Sequence, residues 1–343
     1  MQLVGVYSSF VISVTIGAYV VAVKTGVPVE QTALLLTYTF LIPYFMSSLA
    51  MLVTNVMVYF TSLERVREFE LLPQEPPHTL LADARLGDWP AAGGITLSGL
   101  SLQYSADTAT VLKKLSVEFK PGESIGVVGR TGAGKSSLMS VIFRLVNPTG
   151  GQVLIDGVDT QTVGLRRLRE KITIIPQEPI LMSGTARYNL DPFGAKGETE
   201  LLRAMEHAQL APALLDVDVD LAGEGLSMGQ RQLLCFARAI LHRTPILLMD
   251  EPTANCDLAT DTLIQSMVRT QFADTTVITI AHRLSTIIDY DRILVMGDGA
   301  VLEYGPAHEL LADPSGHLSH MVASMGSGAE GKLRESVGIS AAK

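Results

Sequence analysis

Two long uncharged runs at the start of the chain constrain its fold more than any other feature. Residues 1–23 carry no charged side chain, and neither do residues 31–63. A helix needs about 20 predominantly apolar residues to cross about 30 Å of hydrocarbon. Each run exceeds that length, and Gly26 and Pro28 are turn residues in the short link between them. The sequence therefore predicts two membrane-spanning helices joined as a hairpin.

Buried core helices and a secretory signal peptide are the other structures that an apolar start can form. Uncharged runs of this length are uncommon in soluble domains. A signal peptide has basic residues before an apolar core of about 7–15 residues, but no basic residue precedes the first run. Arg65 and Arg67 follow the second run, and the positive-inside bias places that end in the cytosol.

The charge balance and the cysteine content exclude several classes of protein. The net charge is −9, from 26 Lys and Arg against 35 Asp and Glu. This balance argues against binding nucleic acid through a general basic surface, because such binding depends on neutralising phosphates. Cys235 and Cys256 are the two cysteines, too few for a disulfide framework, and no Cys/His cluster has the spacing of a structural zinc site.

A glycine-rich loop follows the apolar run at residues 124–129. The sequence Gly-Arg-Thr-Gly-Ala-Gly-Lys-Ser matches G-x-x-x-x-G-K-[ST]. In such a loop, backbone N–H groups and the start of the next helix surround phosphate oxygens. Lys135 is then expected to reach the β- and γ-phosphates of ATP, and Ser136 to hold Mg²⁺. The predicted ATP-binding residues of the loop are Gly129, Arg130, Thr131, Gly132, Ala133, Gly134, Lys135, Ser136 and Ser137.

Two carboxylates end a second apolar run, residues 246–249. Asp250 is expected to hold Mg²⁺ through water. Glu251 is expected to polarise a water molecule against the γ-phosphate as a general base. An Asp-Glu pair after a strand is by itself most often a solvated turn, but the phosphate loop earlier in the chain favours the catalytic interpretation.

The stretch Leu-Ser-Met-Gly-Gln at residues 226–230 resembles the signature motif of ATP-binding cassette (ABC) proteins. Further positions match this family in order along the chain. Tyr104 matches the aromatic residue that stacks on adenine, and Gln177 matches the Q-loop glutamine. Asp257 lies in a D-loop match, and His282 matches the switch histidine. The resemblance implies that Gln177 and His282 act in catalysis with the general base, and that Gln177 also contacts Mg²⁺.

The same resemblance implies a head-to-tail pair of nucleotide-binding domains with two ATP molecules between them. The signature motif of one domain then completes the ATP site of the other. The residues that would contact the partner's ATP are Ser227, Met228, Gly229 and Gln230. Met228 departs from the glycine that many signature motifs have at this position.

Several segments resemble the C subfamily of ABC proteins, the multidrug-resistance-associated type. They are Trp89-Pro90, the phosphate loop itself, Leu-Arg-Arg-Leu-Arg at residues 165–169 and Asn-Leu-Asp-Pro-Phe at residues 189–193. The likeness is to the second, C-terminal nucleotide-binding domain, although Pro252 replaces an alanine that is common there. The hairpin then resembles the last two helices of the second transmembrane domain, and the chain is expected to be the C-terminal part of a longer transporter.

Domain boundaries follow from these patterns. We expect a transmembrane hairpin with a cytosolic extension over residues 1–68, and a proline-rich linker over residues 69–93. The nucleotide-binding domain is expected over residues 94–325, and a disordered Gly/Ser-rich tail over residues 326–343. The implied fold is an α/β P-loop NTPase, with a RecA-like core, an antiparallel β subdomain and a helical subdomain, preceded by a transmembrane α-hairpin.

The implied function is ATP hydrolysis coupled to export of amphipathic organic anions or conjugates. It requires ATP and Mg²⁺, a second nucleotide-binding domain, further transmembrane helices and a lipid membrane, with the nucleotide-binding domain in the cytosol. One alternative is an ATP-sensing domain that gates a channel or partner and hydrolyses little. A soluble mechanical or translation-linked ABC protein is a second alternative, which the apolar hairpin and the acidic charge oppose.

Overall fold

The computed structural model describes residues 2–23, 28–72, 74–105, 107–219, 225–253, 256–281, 283–325, 330–331 and 333. The chain divides into two compact units, Met1–Glu75 and Pro76–Lys343. His282, the predicted switch histidine, lies outside the described residues.

The described part of the first unit contains two helices that contact each other, α1 (Gln2–Ala22) and α2 (Val29–Glu70). Leu41–Glu70 in α2 is long and apolar enough to cross a membrane, whereas the apolar stretch Phe10–Val21 in α1 is shorter. Length and composition thus support the second predicted span, and the first span stays a prediction.

The strands and helices of the second unit follow one another from residue 95 to residue 323. The strands are β1 (Ile95–Leu102), β2 (Leu112–Phe119), β3 (Ser124–Gly129), β4 (Gly150–Ile155), β5 (Val158–Asp159), β6 (Ile172–Ile175), β7 (Gly184–Thr185), β8 (Asp218–Val219), β9 (Ile246–Asp250), β10 (Thr276–Ile280), β11 (Arg292–Gly297) and β12 (Ala300–Gly305). The helices are α3 (Lys135–Ile142), α4 (Leu165–Arg169), α5 (Ala186–Leu190), α6 (Glu198–His207), α7 (Met228–His242), α8 (Leu258–Gln271), α9 (Ala307–Ala312) and α10 (His317–Ala323).

A six-stranded sheet in the order β12–β11–β3–β10–β9–β6 forms the centre of this unit. Strand β12 runs antiparallel to β11, and the other neighbours are parallel. The carboxyl ends of parallel strands lie at one edge of a sheet, where α/β proteins bind their ligands. The segments that leave β3, β6, β9 and β10 therefore begin at the same edge.

Apolar side chains cover both faces of this sheet, as expected for buried parallel strands. Leu247 and Met249 of β9 belong to the core on one face, and Ile246 and Leu248 belong to the core on the other. This alternation follows from the two-residue repeat of a strand. The two cores fix the strand ends from which the candidate site is built.

Two further parts complete the predicted fold class. An antiparallel sheet in the order β2–β1–β4–β5 corresponds to the predicted β subdomain. Helices α5 and α6 pack on α7 and form the helical part. Among the buried residues there are Leu201 and Met205 of α6 and Phe236 of α7. The P-loop α/β fold class is confirmed.

The end of the segment predicted as a linker is built into the second unit. The Asp83 carboxylate accepts hydrogen bonds from the N–H groups of Leu80, at 2.8 Å, and Gly164, at 2.9 Å. The indole N–H of Trp89 donates to the carbonyl of Ile155 at 2.8 Å. The bonds from Asp83 to Gly164 and from Trp89 to Ile155 join residues far apart in sequence. They hold a segment whose proline content by itself predicts a free connection.

One residue of the predicted tail also belongs to the core. Leu333 is buried, within the same apolar cluster as Leu311, Leu318 and Val322. The Gly/Ser-rich composition that predicts disorder does not take account of this leucine, whose apolar side chain is stabilised by burial.

Candidate nucleotide-binding site

The phosphate loop occupies the turn between β3 and α3. Gly134 is the N-cap of α3 and has a left-handed φ of 95°, and Gly132 has a φ of 82°. A Cβ atom on Gly134 would lie 2.8 Å from Cδ2 of Leu112, and one on Gly129 would lie 2.3 Å from the carbonyl oxygen of Met296. Backbone conformation requires glycine at residues 132 and 134, and close contact requires it at residues 129 and 134.

Lys135 lies inside this loop and is only 7% exposed. Its ammonium group donates to the carbonyl oxygens of Gly129, at 2.9 Å, and Arg130, at 3.2 Å. Burial lowers the pKa of Lys135 below its ordinary value, and the nearby charges of Glu251 and Asp250 act in the opposite direction. The loop thus holds a cation at the beginning of a helix, an arrangement suited to phosphate.

The two predicted carboxylates lie where β9 ends, at the same edge as the loop. Asp250 is the last residue of β9, and Glu251 follows it with a left-handed φ of 47°. The N–H of Glu251 donates to the carbonyl of Ile280, the last residue of β10, at 3.0 Å. The unusual backbone conformation is therefore held by a contact with the neighbouring strand.

Gln177, two residues after β6, reaches the same position. Its side-chain amide donates to Oε2 of Glu251 at 3.4 Å. The structure thus brings Lys135, Asp250, Glu251 and Gln177 together, although they are far apart in sequence. The pairing of Gln177 with Glu251 is a contact that the sequence analysis did not anticipate.

The predicted adenine-stacking residue also lies beside the loop. Tyr104 follows β1, and its hydroxyl donates to Oγ of Ser137 at 3.0 Å. Tyr104 is 53% exposed, so its hydroxyl is fixed beside the loop while much of the residue is accessible to a ligand.

The residues of the signature motif lie on another element, at the start of α7. Ser227 is the N-cap; its Oγ accepts from the N–H of Gln230 at 3.2 Å, and Oε1 of Gln230 accepts from the N–H of Ser227 at 2.8 Å. This reciprocal arrangement is a capping box. Met228 and Gly229 form the first turn, and a Cβ atom on Gly229 would lie 3.0 Å from Oγ1 of Thr260 in α8.

Asp257 is the N-cap of the neighbouring helix α8. Its carboxylate accepts from the hydroxyl of Thr260 at 2.6 Å, and this bond keeps the pKa of Asp257 below its ordinary value. Residues 254 and 255 of the D-loop lie outside the described part of the chain. In this structure Asp257 acts as a helix cap.

The donor set around the loop fits Mg²⁺. In the described residues no group of three or more His, Cys, Asp or Glu side chains could hold a metal. Magnesium does not need such a cage, because it is usually bound through one or two carboxylates, water and substrate phosphates. Ser136 is exposed beside Lys135, and Asp250 is near enough to influence the pKa of Lys135. The Gln177 amide nitrogen bonds Glu251, which leaves the amide oxygen as the atom of this side chain that would contact Mg²⁺.

Comparisons with known proteins agree with this geometry. Residues 112–254 match the family model described as ABC transporter. The chain is 44% identical over 277 residues to multidrug resistance protein mrp-7 of Caenorhabditis elegans, covering 79% of this chain and 18% of that protein. It is 44% identical over 344 residues to ATP-binding cassette sub-family C member 4 of Mus musculus, covering 98% of this chain and 25% of that protein.

A solved structure of a bacterial Atm1-family ABC exporter with ATP bound is also similar. Its TM-score is 0.73 at 27% sequence identity, covering 95% of this chain and 58% of that one. The chain spans a quarter or less of the length of the two curated relatives named above. The chain carries a nucleotide-binding domain of the ABC transporter family, of the C-subfamily, multidrug-resistance-associated type.

Proposed function

We propose that this chain hydrolyses ATP and couples the hydrolysis to export of amphipathic organic anions or conjugates across a membrane. The observation that carries the proposal is the position of Glu251. Its carboxylate lies near buried Lys135 and is bonded to Gln177. A carboxylate beside a phosphate-binding cation is suited to accept a proton from the attacking water.

Each of the other site residues has a role in this proposal. Lys135 and the N–H groups of the phosphate loop bind the β- and γ-phosphates, and Tyr104 stacks on adenine. Ser136, Asp250 and Gln177 hold Mg²⁺, which when bound neutralises charge on these phosphates. His282 is proposed as the switch histidine that contacts the γ-phosphate, from the sequence resemblance alone.

The proposal also requires partners. Ser227, Met228, Gly229 and Gln230 begin a helix whose N-terminal end is proposed to contact ATP held by a second nucleotide-binding domain. Further transmembrane helices, in the same or another polypeptide, complete a multi-pass pathway. The apolar helices are proposed to lie in the bilayer and the nucleotide-binding domain in the cytosol. This orientation agrees with Arg65 and Arg67 near the C-terminal end of α2.

The Glu251→Gln variant of the full chain, reconstituted with its membrane partners in lipid nanodiscs, tests the proposal. We expect the rate of ATP hydrolysis to fall about 100-fold or more, because general-base catalysis contributes 10²- to 10⁴-fold, while ATP stays bound. Glu170→Gln is the control, since Glu170 is an exposed partner of Arg166. Wild-type protein that binds ATP without hydrolysing it would instead support the ATP-sensing alternative.

The substrate class needs its own measurement. Hydrolysis by the wild-type chain, reconstituted with its membrane partners, is followed with an amphipathic organic anion and with its uncharged analogue. We expect the anion to stimulate hydrolysis and the analogue not to do so. Equal stimulation by both compounds would contradict the proposed preference.

A further inference from the structure

A short segment after Gln177 is fixed by one buried side chain. Asn189 of α5 is fully buried, and its Oδ1 accepts from the N–H of Met182 at 2.8 Å. Its amide nitrogen donates to the carbonyls of Met182, at 2.8 Å, and Thr185, at 3.1 Å. The amide thus pairs with Met182 as a backbone peptide would. Met182 and Thr185 cannot move away without breaking hydrogen bonds to this buried side chain.

An arginine of α7, the signature helix that begins after Ser227, continues this network. Nε of Arg238 donates to the backbone carbonyl of Asn189 at 2.8 Å. Nη2 of Arg238 donates to the side-chain Oδ1 of Asn189 at 3.3 Å. The other terminal nitrogen donates to the carbonyl of Ile180 at 3.5 Å. A planar guanidinium can hold several acceptors in one fixed arrangement. Arg238 therefore connects α7 to residues on both sides of the segment 182–185.

Each end of this connection leads to a functional element. Ile180 is close in sequence to Gln177, which bonds Glu251. Arg238 is part of a helix of 15 residues that begins directly after Ser227. Such a helix is about 22 Å long at about 1.5 Å per residue, and it moves as one body because its backbone hydrogen bonds are internal. A displacement at Gln177 can thus reach Ser227.

We propose that Arg238 and Asn189 are positioning residues that couple the position of Gln177 to the orientation of the signature helix. This inference rests on the proposed function, in which Gln177 responds to ATP on its own domain and Ser227 serves the ATP of a partner. The clamp formed by Arg238 and Asn189 then lets one ATP site influence the other.

The test follows amide hydrogen exchange in the full chain in lipid nanodiscs, with Glu251→Gln present in every protein so that ATP is retained. ATP with Mg²⁺ is expected to slow exchange at two places, residues 177–185 and residues 228–231. Addition of Arg238→Met or Asn189→Ala should preserve the change at residues 177–185 and reduce the change at residues 228–231 by at least half. Arg238→Lys keeps the positive charge but not the planar guanidinium, and it should have an intermediate effect.

Controls separate this coupling from a simple loss of structure. Arg203→Met removes an exposed arginine from α6 and should leave both changes intact. The dissociation constant for ATP, measured on the same samples, should stay within about twofold of the parent protein, because the phosphate loop is untouched. If Arg238→Met unfolds the helical part, Arg238→Lys and Asn189→Ala show whether the change at residues 228–231 depends on the clamp.

Two outcomes would overturn the inference in distinguishable ways. An undiminished change at residues 228–231 in Arg238→Met and Asn189→Ala would show that the clamp does not transmit the signal, while the proposed function would stand. Failure of the parent protein to bind ATP, or to respond at residues 177–185, would instead contradict the proposed function and remove the basis of the inference with it.

Discussion

The hydroxyl of Tyr104 and the hydroxyl of Ser137 lie 3.0 Å apart, and the tyrosine donates the hydrogen bond. The bond connects Tyr104, two residues after β1, with the first turn of α3. An exposed ring that is tethered beside the phosphate loop is positioned before a nucleotide arrives. The tyrosine side chain then loses less conformational entropy when the nucleotide binds, and the affinity for the nucleotide is higher.

Removal of the Tyr104 hydroxyl should therefore weaken ATP binding. Tyr104→Phe is expected to raise the dissociation constant about 3- to 10-fold, because one hydrogen bond contributes about 0.5–1.5 kcal/mol. Tyr104→Ala should raise it further, because stacking on a base contributes about 1–3 kcal/mol. Titration with a fluorescent ATP analogue measures both, and Tyr188→Phe is the control. Equal affinities of Tyr104→Phe and wild type would contradict the role of the bond.

Gln177 should affect the rate of hydrolysis more than the affinity for ATP. Gln177→Ala removes the bond to Glu251, and kcat is expected to fall about tenfold, since positioning of a general base contributes to its effect. Gln177→Glu places a second carboxylate against Glu251, and repulsion between the two like charges should lower kcat at least as far as in Gln177→Ala. Initial rates at saturating ATP measure kcat in both variants. A wild-type kcat in Gln177→Glu would count against the contact.

Gly134 should not tolerate a side chain. Gly134→Ala places a methyl group 2.8 Å from Leu112 Cδ2 and keeps a left-handed backbone, which costs about 1–2 kcal/mol for an L-residue. We expect a dissociation constant for ATP more than tenfold higher than in wild type. Gly197→Ala is a matched control, because Gly197 has a φ of −77° and its nearest neighbour, the Glu200 side chain, lies at 3.7 Å. Normal affinity in Gly134→Ala would contradict the structure of the loop.

Asp83 should give the second unit a stability that depends on pH. Hydrogen bonds from the N–H groups of Gly164 and Leu80 hold its pKa below the ordinary value of 3.8. Because the folded-state pKa is the lower one, the stabilisation is complete above the unfolded-state pKa and is lost as pH falls through the folded-state pKa. Asp83→Asn should reduce the free energy of unfolding at pH 7 by about 1 kcal/mol.

The measurement for Asp83 uses urea unfolding followed by the fluorescence of Trp89, the single tryptophan of the chain. The difference between wild type and Asp83→Asn should shrink as the pH approaches the folded-state pKa. Asp107→Asn changes an exposed carboxylate and serves as the control. A difference that is the same at pH 3 and pH 7 would be inconsistent with this assignment.

The sequence predicts the core of the fold because its signals are local. The apolar run of β3, the glycine loop and the apolar helix after Lys135 follow one another directly, and the structure has β3, loop and α3 in that order. The run that ends at Asp250 is likewise a strand. Parallel strands with helical crossovers then bring these ends to one edge, which spacing along the chain can anticipate.

Other contacts join residues that no local pattern connects. The bonds of Trp89 to Ile155, and of Gln177 to Glu251, depend on how distant segments pack. The proline content predicts a linker at the positions where Asp83 and Trp89 are fixed. Composition is a local property and carries no information on the distant residues that these side chains contact. The clamp of Arg238 and Asn189 had no signal in the sequence either, since an arginine on a helix most often faces solvent.

The left-handed backbone of Glu251 has a consequence for how this domain can evolve. Glycine, or less fully asparagine, would adopt that conformation with less strain, so selection for stability alone would drive the position away from glutamate. Every such replacement removes the carboxylate that faces Gln177. If Glu251 serves hydrolysis as proposed, a lineage released from the need to hydrolyse ATP would have an immediate gain in stability available at this residue, and would be expected to lose its glutamate early.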